Sequence, residues 1–456
     1  MQKTKQNGVG EGNLFRAIIT YVIPITLAVL VQSLFHSADI AVLGNMADSV
    51  AVASVGAAGP FTTLILNAFL GMSSGNKALI SRLYGANDEE KTRKTVDTSI
   101  VIALVGGVSV ALIGILLAPQ FLLWLKCPQE CFDGAVIYTR IYLLAAPFIL
   151  FYNAGHAVIA GCGDTKRPLY YILASGLLNL VLNVILCLIL KNKVVAVALA
   201  TALSQVLAGI LMLHRLCRVD NICRITLSKL RFYGSEVSSI AKYSLPAAIT
   251  ALLMPVSNLQ IQSAINTFGV SAVAGNSASV TLEGVVSSFS TGFASAASVF
   301  VSQNLGAMRL KRARQVFKTC TLLAVSISLV FGALIYLGAD LFLPLILTDD
   351  VAAIEYAKIR MNYVVLLYFV TMIASVIAHT LQAYGYAIMT TINSIVNVMI
   401  FRVIWMELIY PLSPTFGVLM QSFPISQLLM TVCGGILLYF VTRRYERRAL
   451  AHARKE

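Results

Sequence analysis

Long apolar segments alternate with short polar ones along most of the chain. An α-helix of about 20 apolar residues crosses the hydrocarbon core of a bilayer, and twelve such segments can be placed here. They cover residues 15–43, 50–76, 96–123, 136–161, 168–190, 194–214, 240–267, 271–301, 317–347, 359–382, 387–411 and 416–442. The pattern predicts an all-α polytopic membrane protein with twelve transmembrane helices.

The charges between these segments predict how the chain is oriented. Every second loop is rich in Lys and Arg, whereas the opposite loops hold stray cations such as Lys126 beside acids such as Asp349. The basic regions are 82–94, 166–167, 215–242, 309–318 and the tail 443–455. Because Lys and Arg are enriched in cytoplasmic loops, we expect both termini in the cytoplasm and the protein in the plasma (inner) membrane.

The composition excludes a water-soluble globular protein. Hydrophobic residues make up 58% of the chain and charged residues only 12%, against about 25% charged residues in soluble proteins. The net charge of +14 lies in the loops and the tail, so it reports membrane topology and indicates lipids, not nucleic acid, as partners. The eight cysteines are scattered and predict neither a disulfide framework nor a metal site. We expect no cofactor.

The second half of the chain repeats the first. Gly85-Ala86 matches Gly306-Ala307 at an offset of 221 residues. Two six-helix halves that enter the membrane from the same side form a parallel repeat, and transporters of this design bind their substrate between the halves. We expect an N-terminal lobe at 1–214, a cytoplasmic linker at 215–239, a C-terminal lobe at 240–442 and a basic cytoplasmic tail at 443–456.

The first apolar segment carries a polar stripe. Gln32, His36 and Asp39 are spaced i, i+4 and i+7, which places them on one face of a helix. An ionisable side chain is costly in hydrocarbon and faces other helices or a water-filled cavity. We therefore predict that Asp39 couples transport to a cation or proton, with Gln32 and His36 beside it.

The second half offers three further candidates. Glu283 is an acid in the middle of the eighth segment, and Arg402 is isolated in the apolar eleventh segment. Glu283 either takes part in function or pairs with Arg402, and the sequence leaves both interpretations open. Gln262 belongs to a polar stripe with Asn258 and Asn266, although such stripes more often form hydrogen bonds between helices.

Three prolines are candidate hinges. Pro24 lies early in the first segment, and Pro246 and Pro255 lie early in the seventh. Proline removes a backbone hydrogen bond and permits a helix to bend. We expect the bend in the first segment, which also carries Asp39, to respond to protonation.

Several short motifs occur together in this chain. They are Gly85-Ala86 and Gly306-Ala307, the turn Gly163-Asp164-Thr165-Lys166-Arg167-Pro168, the run Asn179-Leu180-Val181-Leu182-Asn183, and Ala200-Thr201. With them the chain resembles the multidrug and toxic compound extrusion (MATE) family over nearly its whole length. The resemblance implies two six-helix lobes arranged as a V, and cation-coupled efflux of amphiphilic, often cationic, compounds.

The resemblance also implies an ion site. Similar prokaryotic MATE members bind a cation through an Asp on helix one, an Asn and an Asp on helix five, and a Thr on helix six. The matching residues here are Asp39, Asn179, Asn183 and Thr201. Because Asn183 stands where the second acid would be, a single titrating acid favours proton coupling, with Na⁺ bound at these four residues as the alternative.

The expected function is a secondary active antiporter, not an enzyme, that exports amphiphilic or cationic organic compounds in exchange for protons. Its partners would be drug-like organic cations and membrane lipids, and we expect a monomer. The nearest alternative is a flippase for lipid-linked oligosaccharides, which needs cations for the phosphates, and Arg402 is the candidate. The sequence disfavours two other classes, an integral-membrane enzyme and a channel. An enzyme would need clustered His, Asp or Cys ligands, and a channel does not need the parallel repeat.

Overall fold

The computed structural model describes residues 13–46, 49–125, 127–219, 222–347 and 350–453, without the side chains of 36–41, 43, 45, 49, 229 and 448–453. The described residues form helices and no strand. The principal helices are α1 (Leu14–Met46), α2 (Ser49–Gly85), α3 (Glu89–Trp124), α4 (Gln129–Leu144 and Ala146–Gly161), α5 (Lys166–Ile189), α6 (Lys193–Arg218), α7 (Gly234–Asn266), α8 (Val270–Gly306), α9 (Leu310–Leu337), α10 (Val351–Val365 and Tyr368–Ala383), α11 (Ala387–Leu412) and α12 (Phe416–Ala453). A short helix, Ala339–Leu347, follows α9.

The number of membrane spans agrees with the hydrophobic pattern. Ten of the described helices are long and apolar enough to cross a bilayer singly, and α4 and α10 are pairs bent by 48° and 41°, so the described chain offers up to 12 spans. The predicted all-α polytopic fold is confirmed. Helices α2 and α3 extend beyond the apolar segments 50–76 and 96–123, because polar residues continue each helix past the bilayer-length stretch.

The two halves of the repeat have the same backbone conformation at matching helix ends. Asn87 and Met308, which follow α2 and α8, have φ angles of 54° and 57°, and Gly163 and Gly385, which follow α4 and α10, have φ angles of 101° and 89°. A residue with positive φ is a common way to end a helix. These matching helix ends recur at the sequence offsets of the repeat, and the bent helices α4 and α10 occupy equivalent places in it.

Residue contacts divide the chain into two compact units. The amino-terminal unit contains Leu27–Tyr84 and Asp88–Ser244, and the carboxyl-terminal unit contains Met1–Thr26, Gly85–Asn87 and Leu245–Glu456. The division passes through α1 between Thr26 and Leu27 and through α7 between Ser244 and Leu245. Both points lie beside a proline, Pro24 in α1 and Pro246 in α7.

Each unit has its own apolar core. In the amino-terminal unit, Ile80, Ile100, Leu143 and Met212 belong to one buried cluster. In the carboxyl-terminal unit, a larger cluster surrounds Phe293 of α8 and includes Ile18 and Tyr21 of α1, residues that precede the division at Thr26. The start of α1 therefore packs in a different unit from the rest of that helix.

A glycine sets the distance between α8 and α10. A Cβ atom on Gly275 would lie 2.2 Å from the carbonyl oxygen of Ala353, far inside van der Waals contact. The two backbones approach closely only because Gly275 has no side chain. This contact places the next residue, Asn276, within reach of α10.

Candidate ion-coupling and substrate sites

Three predicted site residues of the amino-terminal unit form a hydrogen-bonded cluster. The amide of Asn179 donates to the Thr201 hydroxyl at 3.4 Å, and the amide of Asn183 donates to the Asn179 carbonyl oxygen at 3.3 Å. Asn179 and Asn183 lie one helical turn apart on α5, while Thr201 lies on α6 and donates to the carbonyl of Val197. Asn183 is fully buried, so the cluster is an internal polar site.

The helix that carries the predicted acid passes close to this cluster. A Cβ atom on Gly176 of α5 would lie 2.0 Å from the ring of Phe35 of α1, so α1 packs against α5 one turn before Asn179. The backbone of α1 is helical through positions 32 to 39, and Gln32 is exposed. The side chains of His36 and Asp39 lie outside the described residues.

In the carboxyl-terminal unit, Glu283 pairs with Arg360. Nη2 of Arg360 lies 2.7 Å from Oε2 of Glu283, with the two side chains 6% and 19% exposed. Nη1 of Arg360 donates to the amide oxygen of Asn276 at 3.0 Å. The sequence left open a pair between Glu283 and Arg402, but the close approach of α8 and α10 instead gives Glu283 the arginine of α10.

Gln262 joins the same network from α7. The amide of Asn276 donates to the side-chain oxygen of Gln262 at 3.5 Å, and Gln262 donates to Asn266 at 3.0 Å. A continuous series of polar contacts therefore runs from Asn266 to Glu283 through three helices, α7, α8 and α10.

Arg402 of α11 is buried among neutral acceptors. Its guanidinium donates to Asn258 Oδ1 at 2.7 Å, to the Ser426 hydroxyl at 3.2 Å and to the Ser257 hydroxyl at 3.4 Å. Only 4% of Arg402 is exposed. Among the side chains that the structure describes, no carboxylate forms an ion pair with it.

One aromatic ring contacts both arginines. The guanidinium carbon of Arg360 lies 5.0 Å from the ring centre of Phe423, and that of Arg402 lies 4.4 Å from it. Both distances are within the range of cation–π attraction. Pro424 follows Phe423 inside α12, where a proline leaves one backbone carbonyl of the preceding turn without its helical donor.

Two cavities of the carboxyl-terminal unit meet at these residues. The smaller, about 210 Å³, is lined by Arg402 together with Tyr363, Tyr368, Thr371 and Gln427. The larger, about 350 Å³, is lined by Arg360, Gln262 and Asn276. Asn258, Glu283 and Phe423 line both cavities.

The helices that carry the arginines are locally widened. Arg360 directly precedes a π-helical segment, Met361–Val365, and Arg402 lies between two more, Ile395–Ile400 and Trp405–Ile409. Wide turns of this kind are rare and occur often at functional sites, where they redirect side chains.

Sequence reasoning selected Glu283, Gln262 and Arg402 but missed Arg360 and Phe423. Arg360 stands at the edge of the predicted segment 359–382, where a cation is expected to reach the headgroups. The sequence does contain one indication of this site. Asn276 lies seven residues before Glu283, so the two polar side chains share a face of the helix. An aromatic residue such as Phe423 has no distinctive pattern in an apolar segment.

Bilayer-length helices that carry buried polar clusters and polar-lined cavities are consistent with a membrane transporter. The family model described as MatE matches residues 24–185 and 246–406. The two matches correspond to the two halves of the repeat, and together they cover more than half of the chain. The protein therefore belongs to the MatE family, whose members are transporters and not enzymes.

Relatives agree with this assignment. The chain is 25% identical over 391 residues to the "Probable multidrug resistance protein YoeA" of Bacillus subtilis, with 84% of each chain covered. It is 22% identical over 451 residues to the "FAD transporter" of Shewanella oneidensis, with 96% of each covered. Among solved structures, a MOP superfamily transporter from Pyrococcus furiosus superposes with a TM-score of 0.87 at 21% identity, covering 95% of this chain and 97% of that one. This structural likeness confirms the fold.

Proposed function

We propose that the protein is a secondary active antiporter that exports amphiphilic organic compounds, including cations, across the plasma membrane in exchange for protons. Membership of the MatE family and the name of the Bacillus subtilis relative support multidrug efflux as the activity. The observation that carries the coupling mechanism is the buried cluster of Asn179, Asn183 and Thr201 beside α1. We place both termini in the cytoplasm.

The residue types of this cluster favour a proton over Na⁺. A hard cation needs several oxygen ligands, and carboxylates are the strongest of them. Asn183 stands where a second carboxylate would be, so the cluster offers only neutral oxygens beside Asp39. A proton needs only one acceptor, and we assign that role to Asp39.

In this mechanism, Asp39 takes up a proton from outside and releases it to the cytoplasm. His36 and Gln32 lie on the same stripe of α1. Asn179 and Asn183 support the ionised carboxylate by donating amide N–H groups, and Thr201 accepts from Asn179 and so orients it. Pro24, Pro246 and Pro255 provide the flexibility in α1 and α7. The division of the chain beside Pro24 and Pro246 supports these hinge positions.

Substitution of the acid tests the assignment. We expect Asp39→Asn to abolish drug-stimulated proton movement in vesicles while the protein remains folded in the membrane, because an amide cannot carry the proton. Asp133→Asn is the matched control, since Asp133 is exposed at the start of α4. Proton movement that persists in Asp39→Asn would refute the role of Asp39.

The flippase alternative requires cations for the phosphates of its substrate. Two arginines line the described cavities, but Arg360 is neutralised by Glu283. A single uncompensated charge is a poor match to a diphosphate lipid. We therefore retain the exporter as the proposed function.

A further inference from the structure

We propose that the carboxyl-terminal unit contains a binding site for an oxyanion, a carboxylate or phosphate group attached to an aromatic or otherwise apolar body. Arg402 would bind the anionic group, and Phe423 with the tyrosines of the smaller cavity would contact the apolar body. The proposal rests on the proposed function only in treating the bound compound as transported cargo. It extends the substrate class from organic cations to amphiphilic anions.

The charges around Phe423 do not balance. Arg360, Arg402 and Glu283 lie around Phe423 and the two cavities, and Glu283 forms its ion pair with Arg360. The three groups therefore leave one positive charge without a carboxylate among the described side chains. The neutral oxygens of Asn258, Ser257 and Ser426 satisfy hydrogen bonds of Arg402 but do not neutralise its charge.

An uncompensated buried cation is costly. Breaking a buried ion pair by removal of one partner destabilises a protein strongly, and ionisable groups within membrane segments generally have a partner or a function. Arg402 lines the smaller cavity, so an anion that enters can supply the missing charge.

The geometry of Arg402 suits an oxyanion. A guanidinium presents a planar set of donors that binds carboxylate and phosphate oxygens. Nε and Nη1 of Arg402 are held by Ser426, Ser257 and Asn258, which fixes the plane of the group. In the described part of the chain, no acceptor binds its Nη2.

The cavity supplies the remaining recognition. Tyr363, Tyr368, Thr371 and Gln427 line it with hydroxyl and amide groups, and Phe423 provides an apolar face. A pocket with apolar walls and a few fixed polar groups is typical of small-molecule sites. Its volume of about 210 Å³ accommodates a single aromatic acid such as benzoate.

The test compares two probes of similar shape and opposite charge. Binding of benzoate and of benzylammonium is measured by equilibrium dialysis with the full-length protein in nanodiscs, without any ion gradient. Benzylammonium is tested as a competitor for bound benzoate, and we expect it to displace benzoate at least tenfold less effectively than unlabelled benzoate does. No measurable benzoate binding, or equal displacement by both probes, would overturn the proposal; benzylammonium that binds elsewhere, as the exporter function expects, does not displace benzoate. Because no transport is involved, failure here is distinct from failure of proton coupling.

Variants locate the site. Arg402→Gln should weaken benzoate binding at least tenfold, whereas Glu283→Gln should strengthen it severalfold because a competing carboxylate is removed. Arg443→Gln is the matched control: the Arg443 guanidinium also lies 4.4 Å from a ring centre, that of Tyr439, but Arg443 is exposed. Should Arg402→Gln not fold, Arg402→Lys keeps the charge but loses the planar set of donors, and severalfold weaker benzoate binding in that variant supports the site. Equal loss of binding in Arg443→Gln, or weaker binding in Glu283→Gln, would contradict the site.

The lipid composition identifies the source of the anion. In nanodiscs of phosphatidylcholine, benzoate should bind as described. If added phosphatidylglycerol leaves the affinity unchanged, the site takes an amphiphile; if it displaces benzoate from the wild type, the same Arg402 site takes a lipid phosphate. Displacement that also occurs in Arg443→Gln is expected, because that variant retains the site.

Discussion

At the scale of single residues, the two arginines differ in how their charge is balanced. Arg360 has a carboxylate, an amide oxygen and an aromatic ring as partners, whereas Arg402 has hydroxyls, an amide oxygen and the same ring. Hydrogen bonds hold Nη1 and Nη2 of Arg360 and Nε and Nη1 of Arg402. Only Arg360 has its charge neutralised by a neighbour in the described chain, so the two residues have different tasks: Arg360 joins α8 to α10, and Arg402 presents a charge to a cavity.

The Glu283–Arg360 pair should behave as a buried ion pair. We expect Arg360→Gln to lower the free energy of unfolding by about 3 kcal/mol, because it leaves Glu283 without its cation. The double variant with Glu283→Gln should lose less than the sum of the single losses, by about 1 kcal/mol or more. Denaturant titration in detergent micelles provides the measurement.

A surface ion pair provides the control for these substitutions. Arg167 lies 2.9 Å from Asp164, and its side chain is 49% exposed. Arg167→Gln should therefore change the free energy of unfolding by less than about 1 kcal/mol. If the buried and the surface variants had the same effect, Arg360 would not have the role assigned to it.

At the scale of helices, close packing and local widening position the carboxyl-terminal site. Gly275 allows α8 to approach α10, and the π-helical segments beside Arg360 and Arg402 change the direction in which the following side chains point. In a π-helical turn the backbone hydrogen bond joins residues i and i+5, whereas in an α-helix it joins residues i and i+4. The 3.6-residue periodicity of an α-helix therefore no longer predicts which residues share a face. For this reason the sequence indicated Glu283 and Arg402 as candidates but did not reveal the partner of either.

Alanine at position 275 tests the close approach of α8 and α10. We expect Gly275→Ala to lower the free energy of unfolding by about 1–3 kcal/mol, since the methyl group would force the Ala353 backbone away. Gly435→Ala is the matched control: Gly435 also lies within a helix, but a Cβ there would contact nothing within 4 Å. That control should be neutral or stabilising by up to about 1 kcal/mol. Equal effects of both substitutions would contradict the packing argument.

At the scale of the whole molecule, most of the fold could be predicted and part of the site could not. Twelve segments of bilayer length and a repeat at offsets near 221 follow directly from apolar runs and short motifs, because the bilayer fixes the length of a span. The clustering of Asn179, Asn183 and Thr201 was expected from family resemblance, and the contacts bring these residues together. Arg360 and Phe423 were missed, since their importance depends on which helices pack together.

The coupling ion is tested most directly by imposed gradients. Ethidium transport is measured in one preparation of sealed vesicles, first with only a pH gradient and then with only a Na⁺ gradient, for the wild type and for Asp39→Asn. We expect the pH gradient to drive ethidium transport in the wild type, the Na⁺ gradient not to drive it, and Asp39→Asn to respond to neither. Transport driven by Na⁺ alone, or unchanged transport in Asp39→Asn, would contradict proton coupling through Asp39.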